Sequence, residues 1–195
     1  SWRTPDAATD FVVIDPGADL TFEARRPGPG TLIFTGGGEV SLAGDKTVGE
    51  GPLVLDNLTI RLRRAGPTIP IASVTIVDAT ATAALVDQFG PQCELTLQNT
   101  SLDLGATTQQ VRDLVLVGAT IECDTSSGRL DVVGSISARD SCSVDVPISL
   151  TASATEIAKT TAAGLTLGQP LDAPSEASVD LIGPGTIVTS DVNAS

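Results

Sequence analysis

The sequence predicts an all-β protein built as a parallel β-solenoid, in which one chain winds into stacked coils of short strands. Apolar residues alternate with polar ones in short runs, as in Glu94–Leu97, and strict alternation is typical of a strand with one buried face. Such runs recur about every 20 residues, a period that is typical of solenoids. A Gly, Asn or Asp follows most of the runs, where a corner needs a residue that tolerates the left-handed backbone conformation.

Nine runs define the predicted coils, and in each the first and third residues after the start are apolar. The starts are Thr31, Pro52, Ser73, Glu94, Asp113, Arg129, Ser143, Gly164 and Ser178. The first four are evenly spaced, whereas some later gaps are short for a full coil. We therefore expect roughly nine coils if each run starts a new one. The alternative architecture is an antiparallel β-sandwich or jelly roll, which also has short strands separated by frequent turns.

The chain is expected to form a single domain, with lead-in and capping strands in residues 1–30 and the solenoid repeats in residues 31–195. Residues 153–163 are the one segment with a helical signature. Ser153 and Glu156 have the spacing of a capping box, and alanines and a lysine follow them. The sequence therefore predicts a helix of about three turns inserted at a corner of the solenoid.

The composition excludes several classes of function. The net charge of −13 disfavours binding to nucleic acid and to anionic membranes. The chain has no histidine, which rules out a Ser-His-Asp triad and a His-ligated zinc site. No apolar run approaches the ~20 residues that cross a bilayer, so membrane insertion is not expected. No motif indicates a cofactor, and we expect the protein not to be an enzyme.

The segment Val13–Ala24, VIDPGADLTFEA, is followed by Gly- and Pro-rich turns and by LxF and VxL pairs. It resembles the opening of secreted right-handed parallel β-helix proteins of bacteria, a group that includes surface adhesins and filament-forming passengers. The resemblance implies a right-handed β-helix that is extracellular or displayed on a cell surface. We therefore expect a structural building block of a surface fibre or adhesin. The alternative is an acidic β-helix protein that binds or cleaves a polysaccharide.

Apolar residues also occupy positions predicted to face solvent, two or four residues after the run starts. They are Ile33, Val54, Val77, Val115, Val117, Val133 and Ile182. A soluble monomer rarely exposes a large apolar patch, so something is expected to cover them. Either the chain's own loops at 105–112 and 151–163 do so, or another subunit does. Unpaired strands at the first and last coil would allow head-to-tail stacking. We therefore expect a homo-oligomer or a head-to-tail filament.

The three cysteines are Cys93, Cys123 and Cys142. Cys123 and Cys142 are separated by about one coil, and adjacent coils place equivalent residues within disulfide range. The oxidising compartment implied by the resemblance favours a bridge between them. Cys93 is then left free or pairs between subunits. The alternative is that all three cysteines are small buried side chains.

Three aspartates, Asp131, Asp145 and Asp180, occupy the same predicted outward position two residues after their run starts. If their coils stack in order, Asp131 and Asp145 would lie ~5 Å apart. Such a pair could serve as acid and base on a glycosidic bond, or hold a divalent cation. The plainer interpretation is a solvated acidic face.

A binding face for ice would require a long, regular row of threonines. Thr75 and Thr96 occupy equivalent positions in neighbouring coils, but Val115 follows them in the same position. The sequence therefore gives only two successive threonines in this row and does not favour ice binding.

Overall fold

The computed structural model describes residues 9–23, 28–44, 51–64, 72–123, 127–151, 154–173, 178–189 and 192–194. These residues form 23 short strands, and no helix is found among them. The strands are β1 (Asp10–Val13), β2 (Asp19–Phe22), β3 (Leu32–Thr35), β4 (Glu39–Gly44), β5 (Leu53–Asp56), β6 (Thr59–Arg64), β7 (Ser73–Val77), β8 (Thr80–Ala83), β9 (Glu94–Gln98), β10 (Ser101–Asp103), β11 (Thr108–Val111), β12 (Asp113–Val117), β13 (Thr120–Glu122), β14 (Arg129–Val132), β15 (Ile136–Arg139), β16 (Cys142–Val144), β17 (Ile148–Leu150), β18 (Ala154–Lys159), β19 (Gly164–Leu167), β20 (Leu171–Ala173), β21 (Ser178–Ile182), β22 (Thr186–Thr189) and β23 (Val192–Ala194).

The strands belong to three sheets that form the faces of one solenoid. Sheet A has the order β1-β3-β5-β7-β9-β12-β15-β18-β21, and sheet B has the order β2-β4-β6-β8-β10-β13-β16-β19-β22. Sheet C has five strands, β11-β14-β17-β20-β23. Neighbouring strands are parallel throughout the described pairings, for example β7 with β9 and β17 with β20. The predicted parallel β-solenoid is confirmed, and the antiparallel sandwich is not the architecture.

The number of turns is slightly smaller than the roughly nine expected. Sheets A and B each contain nine strands, but the first and last strand of each sheet have a described neighbour on one side only. We call each level of the stack, with one strand on each face, a rung. Seven rungs therefore have a described rung on both sides. The strands β1 and β2, which lie within the predicted lead-in segment, pair directly with β3 and β4 and form the first rung.

Three of the nine predicted coil starts are wrong. Arg129 begins β14 in sheet C, whereas Ser143 lies in β16 and Gly164 begins β19, both in sheet B. The short gaps between starts therefore measure steps from one face of the solenoid to a different face, since each coil from β9 onward has three strands. The true coil length stays near 20: Leu95 pairs with Leu114, 19 residues on, and β18 pairs with β21 at an offset of 24 residues.

The core is a set of inward rows in which one side chain stacks on its equivalent in the next coil. The register on sheet A produces a continuous buried row. It consists of Leu32, Leu53, Val74, Leu95, Leu114, Ile136 and Ile157. Burying one such side chain stabilises the fold by about 1.5–3 kcal/mol, so the repetition of the row supplies most of the driving force.

The predicted helix at 153–163 is wrong, since residues 154–159 form β18 and pair with β15 and β21. Tertiary packing overrides the local signature, because Ile157 stacks on Ile136 in the core row. Lys159 also faces inward and is 1% exposed. Its Nζ donates to the carbonyl oxygen of Asp140 at 2.6 Å and to Thr161 Oγ1 at 3.0 Å. Ser153 lies outside the described residues.

Two buried glutamines lie at the first strand of sheet C and in the coil before it. Gln109 is completely buried in β11, and Gln88 is buried in the preceding coil, which has a loop on this face. Gln88 Oε1 accepts from the Arg64 amide at 2.9 Å, and its Nε2 donates to the Arg64 carbonyl oxygen at 3.1 Å. Gln109 Oε1 accepts from the Gln88 amide at 2.7 Å. The side chains thus satisfy backbone groups that no strand partner satisfies.

Candidate functional site: the outer faces of the solenoid

The predicted self-association residues are distributed over two faces. Ile33, Val54, Val77, Val115, Val117 and Ile182 lie on sheet A, and Val133 follows β14 of sheet C. On sheet A, the register places Ile33, Val54, Val115 and Ile182 in one outward row with hydroxyl and small residues between them. The full row is Phe11, Ile33, Val54, Thr75, Thr96, Val115, Ser137, Ala158 and Ile182.

The most exposed apolar side chains of this row are at its two ends. Phe11 in β1 is 65% exposed and Ile182 in β21 is 49% exposed, whereas Ile33, Val54 and Val115 are half-buried between neighbouring rungs. An interior side chain is covered from both sides by equivalents in adjacent coils, and a terminal one from a single side. The apolar surface of sheet A is therefore concentrated at the first and last rung.

The three cysteines are free thiols, and Cys123 and Cys142 are not bridged. At this rung the coil is longer than the spacing of the two cysteines, because Thr120 pairs with Ser143, 23 residues on. Cys142 therefore lies about 13 Å along the strands from the level of Cys123, outside the range of a disulfide. Cys93 is buried, and burial raises the pKa of its thiol to about 12. Cys93 is consequently not a reactive thiolate at neutral pH.

The expected acidic pair is not assembled. Asp131 lies in β14 of sheet C, Asp145 follows β16 of sheet B, and Asp180 lies in β21 of sheet A. Asp131 accepts a hydrogen bond from Arg129 Nε at 2.6 Å, and Asp145 accepts one from Gln169 Nε2 at 3.1 Å. Because they belong to different faces, these carboxylates cannot act together on one bond.

Asp113 is a carboxylate that accepts three hydrogen bonds. Its Oδ1 accepts from the Ser135 amide and from Ser135 Oγ, both at 2.9 Å, and its Oδ2 accepts from Arg112 Nε at 2.7 Å. Burial alone raises the pKa of Asp113, but these hydrogen bonds outweigh it and the pKa falls below its ordinary value. The same contact raises the pKa of the Arg112 guanidinium. The group joins one coil to the next and has a structural role.

Sheet B carries a long row of hydroxyl side chains, which sequence reasoning missed. The register of β6, β8, β10, β13, β16 and β19 places one in each of six successive rungs. They are Thr59, Thr80, Ser101, Thr120, Ser143 and Thr166. The signal was present in the sequence, since these residues alternate with the buried residues after each corner. The expected break at Val115 is confirmed, but it lies on sheet A.

The corner between sheets A and B is built from the residues predicted to turn there. Asn57, Asp78 and Asn99 have φ angles of 53°, 48° and 47°, which lie in the left-handed region, and Gly118 follows at 59°. Asn99 Nδ2 donates to Asp78 Oδ1 at 2.9 Å. Asparagine and aspartate tolerate this backbone better than other residues with a Cβ atom. A row of amide and carboxylate side chains therefore runs parallel to the hydroxyl row.

Two shallow grooves flank the first two hydroxyls of the row, and they share Thr59. The groove on the corner side has a volume of about 510 Å³ and is lined by Gly37, Asn57, Leu58, Thr59, Asp78, Ala79, Thr80 and Asn99. The groove on the opposite side has a volume of about 300 Å³ and is lined by Thr59, Ile60, Arg61, Arg63, Thr82 and Ala84. Hydrogen-bonding groups thus border one groove and guanidinium groups the other.

Within the described ranges, no group of three or more His, Cys, Asp or Glu side chains is arranged to hold a metal ion. No helix in those ranges is long and apolar enough to cross a membrane. Comparison with protein-family models, with curated proteins and with solved structures found no match for this chain.

Proposed function

We propose that this protein is a non-enzymatic structural building block of an extracellular fibre or adhesin, in which the solenoids of neighbouring copies stack end to end. The observation that carries this proposal is the state of the two end coils. Among the described residues, β1 and β2 at one end and β21, β22 and β23 at the other have a strand neighbour on one side only. The edge of a parallel strand presents N–H and C=O groups that can pair with a further strand.

The side chains at the two ends support the same arrangement. Phe11 and Ile182 occupy opposite ends of one outward row of sheet A, and both are more exposed than the apolar residues between them. When the last coil of one copy stacks on the first coil of the next, the row continues and these two side chains become neighbours. Each side chain then buries apolar surface of the other, which favours association by about 25 cal/mol per Å² of surface removed from water.

Two charged features oppose indiscriminate stacking. The net charge of −13 makes copies repel one another. Asp10 is the first residue of an inward row of sheet A, because it is the register partner of Leu32. An inward-facing charge at the edge of a sheet disfavours pairing of that edge with other strands. End-to-end association should therefore need salt or divalent cations to screen the repulsion. The extracellular setting is supported by the resemblance of Val13–Ala24 to secreted β-helix proteins.

The test is to follow particle length by negative-stain microscopy and sedimentation while protein and salt concentrations are raised. We expect rods of constant width that lengthen in steps of about 40 Å, the height of the nine stacked strands of sheet A at ~4.8 Å each. Monodisperse single particles at high protein and salt concentration would contradict the proposal.

A variant pair isolates the edge of β1. Asp10 donates its amide to Thr31 and Ile14 donates its amide to Thr35, so by alternation the Phe11 amide points away from β3. Phe11→Pro removes that amide without removing a bond to β3, and proline is tolerated on edge strands. Phe11→Val keeps the amide and serves as the control. We expect the proline variant to fold and remain single, and the valine variant to assemble.

A further inference from the structure

The two grooves on sheet B have more hydrogen-bonding capacity than the chain uses. Within the described residues, the side chains of Asn57, Thr59 and Thr80 form no hydrogen bond with another residue. Asp78 and Asn99 are joined by a single hydrogen bond, so further donor and acceptor positions on both remain. These groups line one groove of about 510 Å³, and polar groups predominate over apolar ones on its wall. A polar ligand with many hydroxyl groups fits such a lining better than an apolar one does.

The second groove adds positive charge beside the same threonine. Arg61 and Arg63 project from β6, and Arg61 is paired with Glu39. Arg63 is exposed and makes no ion pair with any described residue. A guanidinium group is a planar donor that matches a carboxylate in a bidentate arrangement. Because Glu39 already neutralises Arg61, Arg63 is the described cation of this groove wall that is left for an anionic ligand.

The charge of the surrounding surface limits the length of the anionic contact. The outward row that contains Arg61 continues through Thr82 to Asp103 and Glu122. The row therefore changes from positive to negative within four rungs. A uniformly charged polyanion such as a nucleic acid would be repelled along most of this row. The lining of both grooves also lacks the aromatic side chains on which bases stack.

The spacing of the groups favours a linear polymer along the solenoid axis. Equivalent residues recur with the rise of one coil, ~4.8 Å, and the hydroxyl row extends from Thr59 to Thr166. A polysaccharide chain offers hydroxyl groups at regular intervals and can present a carboxylate on individual sugar units. Such a chain could place a carboxylate at Arg63 while its hydroxyl groups meet the Asn57 amide and the threonine hydroxyls.

We propose that the paired grooves around Thr59 bind an anionic polysaccharide through its uronic acid units. Arg63 holds the carboxylate beside the Arg61–Glu39 pair, and Asn57, Thr59 and Thr80 hydrogen-bond to the sugar hydroxyls. The site lies on the flank of the solenoid and rests on different residues from the end-to-end contact. A single, unassembled copy should therefore bind the polysaccharide as well as a copy in a fibre.

Titration calorimetry with a short hyaluronan oligomer, in which only alternate sugars carry a carboxylate, tests the site. The carboxyl-reduced form of the same oligomer is the matched neutral ligand. We expect the acidic oligomer to bind, with an affinity that falls as salt is raised. Arg63→Gln should weaken binding by about tenfold, because one charge-assisted contact is lost. Arg139→Gln makes the same change at an exposed position of β15 in sheet A and should leave the affinity within about twofold.

A second pair of variants tests the hydroxyl contacts. Thr59→Val should weaken binding by about fivefold through the loss of one hydrogen bond. Thr166→Val removes a hydroxyl from the far end of the same row and should change little. Absence of binding to the hyaluronan oligomer, equal binding of the reduced oligomer, or equal losses in Arg63→Gln and Arg139→Gln would each overturn the proposal. Binding measured on Phe11→Pro separates the two proposals, since that variant lacks only the end-to-end contact.

Discussion

Replacing Gln109 with leucine should destabilise the solenoid, although it puts an apolar side chain into a buried position. Gln109 is completely buried and makes three side-chain hydrogen bonds. Its Oε1 accepts from the Gln88 amide, and its Nε2 donates at 2.7 Å to the carbonyl oxygen of Leu85 and to Thr107 Oγ1. Thr107 keeps a second partner, since its hydroxyl also donates to the Leu104 carbonyl oxygen.

The magnitude follows from the groups left without a partner. Leucine would leave two backbone groups, the Gln88 N–H and the Leu85 C=O, without a hydrogen-bond partner, at a cost of about 1–3 kcal/mol each. Burial of the leucine side chain returns about 1.5–3 kcal/mol. We expect a net loss of about 2 kcal/mol in the free energy of unfolding. For a domain of this length the loss corresponds to a fall in Tm of about 4–8 °C.

Thermal and urea unfolding followed by circular dichroism measure this loss. Gln110→Leu is the matched control, because Gln110 is the next residue in the same strand, faces outward and is half-buried. It should change the free energy of unfolding by less than about 0.5 kcal/mol. If Gln109→Leu proved as stable as the native chain, the loop that precedes sheet C would not depend on the glutamine side chain.

Three further outcomes are expected. Leu97→Ala should cost about 3 kcal/mol in unfolding experiments because it leaves a cavity in a fully buried row, whereas Thr96→Ala, which faces outward, should cost little. Asn99→Ala should cost about 1 kcal/mol more than Asn99→Gly in the same assay, because the φ angle of 47° strains any residue with a Cβ atom except asparagine or aspartate. Folding lowers the pKa of Asp113, so its carboxylate stabilises the fold at neutral pH, and this stabilisation is lost as pH falls through the folded pKa. In a pH series, the free energies of unfolding of Asp113→Asn and of the native chain should therefore converge in acid.

Much of the fold could be predicted because the alternation of apolar and polar residues indicates which side chains are buried. The pairs Leu95/Leu97 and Leu114/Leu116 are fully buried in adjacent strands of sheet A, as their spacing indicates. The corner was also predictable, since few residues other than glycine, asparagine and aspartate tolerate the backbone at Asn99. Both signals are local, and tertiary contacts in this fold reinforce them.

The faces of the later coils could not be assigned in the same way. Alternation looks alike on every face, so β14, β16 and β19 gave the same pattern as the strands of sheet A. The length of the individual coil decides which residues meet, and it differs between rungs. The 23-residue offset from Thr120 to Ser143 separates Cys123 from Cys142, and the same uncertainty concealed the hydroxyl row of sheet B.

The prediction of a helix at residues 153–163 was wrong for a different reason. Its capping-box spacing is a weak local preference, and β18 has a strand neighbour on both sides to pair with. The inward Lys159 obscured the strand pattern, because a charged residue is rarely buried unless it finds partners such as those that Asp140 and Thr161 provide. Only the neighbouring coils could reveal that it faces the core.

The parallel stacking of successive coils is tested most directly by crosslinking engineered cysteine pairs. Thr75 and Thr96 are register partners on the outer side of β7 and β9. The double variant Thr75→Cys/Thr96→Cys should form an intramolecular disulfide under mild oxidation, as judged by mass spectrometry. Thr75→Cys/Val115→Cys spans two rungs, ~10 Å, and should remain reduced. A disulfide in the second variant and none in the first would contradict the stacking on which both proposals depend.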